Sequence, residues 1–340
     1  MSIAKLTPLA LLGLTLLGGC NNHALVGVHY DSSQVCGESL DIPITRPRVV
    51  LVVDRSGSMS ENPLGEGTRW EALHGVISEV VDGQDRTTDF GLAMFPATGA
   101  GDTFTDGACN SATALDVAVS SGAGDAIIAA LPGPLESTHG GTPAASAVAL
   151  AADHLRGLAG NDPKLMVLIT DGAANCTADA TALTAALYDE NLQTVVADAA
   201  VDGIPTYVVG IQISESTDPI SGVVPAEQLD EVAVLGGVPL DGGEHQYYSV
   251  ADQAALAEAL DSITADLGCT MALGSDVDPE RAALLRVGSE LRTQVLDCAS
   301  EDGWMYVEGD EGLSLALCGQ TCADFQASGS IDLEYDCSQE

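Results

Sequence analysis

Three short segments hold the oxygen-bearing side chains whose spacing could do chemistry. Asp54-Arg55-Ser56-Gly57-Ser58 sets a carboxylate and two hydroxyls at alternate positions, Gly140-Gly141-Thr142-Pro143 adds a third hydroxyl, and Thr170-Asp171-Gly172 adds a second carboxylate. Neutral hydroxyls with carboxylates nearby suit a hard cation that prefers oxygen ligands and gives up its waters reluctantly, Mg2+ first, with Mn2+ or Ca2+ as alternatives. Covalent catalysis has no such support. The six histidines are scattered, and the chain has no Gly-x-Ser-x-Gly, Gly-x-x-x-x-Gly-Lys, Gly-x-Gly-x-x-Gly or His-Glu-x-x-His. Asp276-Val277-Asp278-Pro279-Glu280 superficially suggests a calcium loop, but Arg281 stands where the sharp turn needs glycine, so it reads as an acidic turn.

The three segments need a scaffold that brings them to one edge. Val49 to Val53 is a continuous run of strand formers, as in a strand covered on both faces. Thr68-x-x-Glu71 is a capping box, followed by Trp70, Leu73, Val76, Ile77 and Val80 at helical spacing. Strands are expected over 90–95, 115–119 (a short edge strand), 164–170, 206–211 and 245–250. Helices are expected around 126–131, 143–158 (with Thr142 as its cap), 192–201, from Pro225 to Gly236-Gly237, and 256–267. Such alternation predicts an α/β fold with a doubly wound, mostly parallel sheet, whose ligands bind at the carboxyl ends of the strands. All three oxygen-bearing segments fall at such ends or at a helix start.

In this order the pieces resemble the von Willebrand factor type A family and its metal-ion-dependent adhesion site, over roughly residues 46 to 268. The resemblance implies that Ser56, Ser58 and Thr142 touch the ion, that Asp54 and Asp171 act through water, and that a partner protein's carboxylate fills the open position. Arg55, at the variable position, either pairs with Asp171 or faces solvent. His139 borders the threonine segment and is expected to be exposed and idle.

The first twenty residues read as an address: Lys5, an apolar stretch from Leu6 to Leu17, then Gly18-Gly19-Cys20, too short to span a bilayer comfortably. The ending resembles a bacterial lipobox, which implies cleavage before Cys20, a lipid on its thiol and, with Asn21 following, the outer membrane; the alternative is an ordinary secretory signal with an incidental cysteine. The expected divisions are a signal peptide over 1–19, a lipid-anchored tether over 20–44, the adhesion-type domain over 45–268 and a small module over 269–340. That module shows short alternating segments and five cysteines, so it reads as β-rich and stapled by disulfides.

Besides Cys20 the chain carries eight cysteines, an even number that suits an oxidising compartment. Cys109 with Cys176 and Cys36 with Cys269 are the suggested pairs. Acids number 50 against 11 Lys and Arg, a formal net charge of −39, so no basic stripe is available for nucleic acid. The expectation is a non-enzymatic, Mg2+-dependent adhesion protein. The alternatives are an envelope scaffold with a stabilising or vacant metal site and, with least support, a metal-assisted hydrolase using Asp54 or Asp171 as base.

Overall fold

The computed structural model describes residues 39, 40, 42 and 46–335, apart from 161, 241, 275, 276, 299, 310 and 311. The expected signal peptide, Cys20, Cys36 and Cys337 lie outside the described residues. Among those described, six strands form the central sheet: β1 (Arg48–Asp54), β2 (Asp89–Phe95), β3 (Val117–Ser120), β4 (Lys164–Thr170), β5 (Thr206–Ile211) and β6 (Tyr248–Val250). Their order is β3-β2-β1-β4-β5-β6, parallel throughout except for the antiparallel edge strand β3. The order reverses between β1 and β4, which opens a crevice at their carboxyl ends.

Both faces of the sheet are covered, which explains the continuous apolar runs. Val49, Leu51 and Val53 of β1 join the layer formed with α1 (Arg69–Gln84), α2 (Gly124–Ala130) and α6 (Gln253–Gly268). Val50 and Val52 join the opposite layer, with α3 (Ala144–Gly157), α4 (Asn191–Val201) and α5 (Pro225–Leu235). Each such side chain contributes about 1.5–3 kcal/mol when fully buried, so the scaffold stands on apolar burial and leaves the loops at its edge to polar chemistry.

The capping box at α1 forms as expected. Glu71 N donates to Thr68 Oγ1 at 3.1 Å, and Thr68 N donates to Glu71 Oε2 at 2.8 Å. Thr68→Ala is expected to lower stability by about 1 kcal/mol, read as a shifted denaturation midpoint at unchanged slope. Several boundaries differ from expectation by one to three residues, those of β3, α2 and α6 among them, and two have a visible cause. The last strand starts at Tyr248 rather than residue 245, because Asp230 on α5 engages the residues before it: Gln246 N donates to Asp230 Oδ1 at 2.6 Å. Helix α3 starts at Ala144, and its cap position is Pro143, with no side-chain cap bond.

The small module draws on both sides of the large domain. Ser39–Leu40, at the end of the expected tether, pairs antiparallel with Ile331–Tyr335, and Leu40 and Ile42 are buried in the module's core. Ala283–Val287 and Glu290–Arg292 complete that sheet, and Thr270–Ala272, Gly312–Cys318 and Gly303–Gly309 form a second one. Trp304 is buried in the core, and its indole donates to Arg292 O at 3.1 Å. A helix not expected from the sequence, α7 (Gln320–Ser328), lies between Gly319 and Gly329, both at positive φ, and buries Cys322 and Phe325 on one face.

The cysteines correct one suggested pair. Cys269 bonds Cys322, so it is not joined to Cys36, and Cys298 bonds Cys318. Antiparallel pairing sets Thr270 of one strand opposite Ala316 of another, which keeps Cys269 inside the module near α7. Among the described residues no helix is long and apolar enough to cross a membrane.

Candidate metal centre

The crevice between β1 and β4 gathers the oxygen-bearing residues. Asp54 ends β1 and is fully buried; Ser56 N donates to its Oδ1 at 2.7 Å and Thr170 Oγ1 to its Oδ2 at 2.6 Å. Ser56 Oγ and Ser58 Oγ lie 3.1 Å apart, and Ser58 Oγ donates to Asp171 Oδ1 at 2.7 Å. Ser58, Thr142 and Asp171 line one cavity of about 520 Å³, bordered by Asn62, Arg69 and Gln212. The structure therefore brings together the segments that carry all five expected site residues.

Close backbone approach explains the glycines before Thr142. A Cβ on Gly140 would lie 2.8 Å from Pro96 and 2.9 Å from the carbonyl of Ala108, and one on Gly141 would lie 2.8 Å from both Asn175 Oδ1 and Cys176 Sγ. The segment is pinned on both sides: Gly57 N donates to Gly140 O at 3.2 Å, and Thr142 N donates to Asn175 Oδ1 at 2.7 Å. Since helix α3 does not use Thr142 as a side-chain cap, its hydroxyl is not committed to that helix. The Cys109–Cys176 disulfide forms at this edge, as the sequence suggested.

Two residues bordering the crevice hold left-handed backbone without being glycine, Cys176 at φ 69° and Gln212 at φ 49°. Such conformations cost on the order of 1–3 kcal/mol each and persist where surrounding structure enforces them. Gln212 follows β5, and its side chain and carbonyl accept from Arg69 at 3.3 and 3.5 Å.

Arg69 is the site residue that the sequence reading missed. Its Nη1 donates to Asp171 Oδ2 at 2.6 Å, so Arg69 and not Arg55 is the partner of Asp171. Arg55 instead donates from Nε to Pro96 O at 2.7 Å. Burial lowers the Arg55 pKa, and the carboxylate of Asp116 opposes that effect. One signal for Arg69 was available: a cation at the first position of a helix opposes the helix dipole, and such a placement asks for a nearby anion. His139 is half exposed, and its Nδ1 lies 2.8 Å from Asp102 Oδ1.

The electrostatics favour a cation. Burial, and then the neighbouring carboxylate of Asp171, push the Asp54 carboxyl up to about 7, against the hydrogen bonds from Thr170 and Ser56. Two carboxylates and the hydroxyls beside them form a hard-oxygen set short of positive charge, which fits Mg2+. Among the described residues no cluster of three or more His, Cys, Asp or Glu could hold a metal. Any ion bound here therefore depends on hydroxyl donors.

Comparison with known proteins agrees with this fold. No curated protein matches the chain. Among solved structures, the pilus adhesin SpaC from Lactobacillus rhamnosus GG is similar at 16% identity and a TM-score of 0.51, over 87% of this chain and 40% of SpaC. The chain thus spans about two fifths of that adhesin's length. A conserved hypothetical protein, BatB from Bacteroides thetaiotaomicron, is 20% identical with a TM-score of 0.42, over 64% of this chain and 98% of its own. Proximal thread matrix protein 1 from the mussel byssus, with a zinc-occupied MIDAS motif, is 14% identical with a TM-score of 0.40, over 66% of this chain and 48% of its own. The sequence profile of the von Willebrand factor type A domain matches residues 49–263, from β1 into α6, and the chain belongs to that family.

Proposed function

We propose that this chain is an exported, lipid-anchored binding protein that captures a protein partner through Mg2+ at the β1–β4 crevice. Ser56, Ser58 and Thr142 would hold the ion directly, with Asp54 and Asp171 behind them through water. When bound, the ion would supply a hard Lewis-acidic position for a partner's carboxylate oxygen. Mn2+ and Ca2+ are alternatives for the same oxygens. The chain's own residues do the positioning. Thr170 and Ser56 orient Asp54, Ser58 is held on Asp171, and Asn175 holds the backbone of Thr142.

The observation that carries the reading is the shared cavity of Ser58, Thr142 and Asp171 beside the buried carboxylate of Asp54, whose charge no basic side chain among the described residues directly meets. The short apolar segment ending at Cys20 supports an anchor in the outer membrane of a bacterium, which would display the crevice in the cell envelope. Partner capture needs no group that makes or breaks covalent bonds. The likeness to a pilus adhesin concerns the fold; the functional argument rests on the crevice.

Purified protein used as bait against cell-envelope extracts, with Mg2+ or with a chelator, tests the reading. A partner should be retained only with Mg2+, and Mg2+ should raise the melting temperature by mass action on the folded state. Equal capture with the chelator, despite a raised melting temperature, would assign the metal a stabilising role in a scaffold.

A further inference from the structure

Arg69 has no place in the five-residue site, yet it occupies one oxygen of a member of that site. Ser58 uses Asp171 Oδ1 and Arg69 uses Oδ2, with the Arg69 and Asp171 side chains only 12% and 2% exposed. The guanidinium is held in place from its other side by Gln212, whose left-handed backbone turns both its carbonyl and its side-chain oxygen toward it. Its helix position opposes the dipole, so local helix chemistry does not account for an arginine there. With 11 Lys and Arg against 50 acids in the chain, cations are scarce, and this one lines the cavity itself.

We propose that Arg69 is a built-in counter-cation that weakens the crevice's grip on its divalent ion and leaves the loaded crevice with one net positive charge. The inference rests on the proposed metal site. Two carboxylates alone would neutralise a divalent ion, leaving nothing to attract an anion beyond the open position. With the guanidinium fixed on Asp171, a loaded crevice carries one uncompensated positive charge, which matches a partner offering a single carboxylate. The same charge, on a side chain largely shielded from water, repels the incoming ion at short range, where Coulomb terms are less screened than in bulk water. Arg69 is thus a positioning residue that trades metal affinity for attraction of an anionic ligand.

Calorimetric titration of the metal-depleted full chain with Mg2+ alone tests this. Arg69→Gln, which keeps a donor for Asp171 but removes the charge, is expected to bind Mg2+ about tenfold tighter than the unaltered chain. Arg69→Lys, which keeps the charge, should stay within about twofold. Tightening is not a result that a damaged fold produces, so it separates charge from structure. Should Arg69→Gln not fold, Gln212→Gly, which releases the clamp, is expected to shift affinity in the same direction by about threefold. Unchanged or weaker Mg2+ binding in these charge-removing or clamp-releasing variants, with normal binding by the unaltered chain, overturns the role of Arg69 and leaves the metal site standing. No Mg2+ binding by the unaltered chain removes both.

Discussion

Asp171→Ala is expected to weaken Mg2+ binding by about a hundredfold, the upper range for losing a carboxylate that acts on a metal through an intermediate group. The side chain has two separable duties, since Oδ1 accepts from Ser58 and Oδ2 from Arg69. Its removal frees Ser58 from the rotamer that faces the cavity and leaves a guanidinium largely shielded from water with no anion. Breaking a buried pair from one side costs about 3–5 kcal/mol. Metal affinity and fold stability should therefore fall together in the single variant, and a loss of binding alone would not identify a ligand role. The double variant Asp171→Ala with Arg69→Met separates the two. Removing both charges should restore most of the stability, as a double-mutant cycle reads it, while Mg2+ binding regains only the roughly tenfold that loss of the Arg69 charge supplies and stays about tenfold weaker than in the unaltered chain. Restored binding in the double variant would mean that Asp171 serves the fold and not the ion.

The scaffold was legible in the sequence because its signals are local and redundant. β4 and β5 were bounded to the residue by their apolar runs, and α1 announced itself through Thr68 and Glu71 at its start and Trp70, Leu73 and Val76 along its face. The five oxygen-bearing residues were legible because each sits at the end of such an element, where a doubly wound sheet exposes its loops. What escaped was long-range. Arg69 meets Asp171 across 102 residues and Gln212 across 143, distances over which no spacing rule operates. Helix α7 escaped because its apolar face amounts to Cys322 and Phe325 within nine residues, too short a period to stand out beside strands. The pairing of Cys269 depended on that helix, so a bridge from Cys36 looked reasonable until α7 placed Cys322 beside it. The cap assigned to Thr142 failed for a local reason: with Pro143 at the cap position, the helix starts one residue later.

In the metal-free protein, stability is expected to fall as pH rises from about 5 to 7, and Mg2+ affinity to rise over the same span, both because of Asp54. Its carboxyl is pushed from an ordinary 3.8 up to about 7 by burial and by Asp171. Between those values the folded chain keeps a proton that the unfolded chain has lost. The linked stability is complete below the lower value and is lost as pH climbs through the upper one. An incoming ion must displace that proton, so Mg2+ affinity should drop by about tenfold per pH unit below the upper value and level off above it. The two trends make the Mg2+-induced rise in melting temperature grow with pH. A chain with a formal net charge of −39 also gains stability in acid by general relief of repulsion. Asp54→Asn separates the effects, because the general term persists in the variant while the proton at this position is gone. Its metal-free stability should decline less steeply with pH, and its weaker Mg2+ binding should be nearly flat between pH 5.5 and 8, a window set by the Asp54 shift. Titration in two buffers of different ionisation enthalpy counts the proton directly: at pH 6 nearly one should leave per ion bound by the unaltered chain and none in the variant. Equal proton release from both would place the titrating group elsewhere and leave Asp54 ionised in the empty crevice.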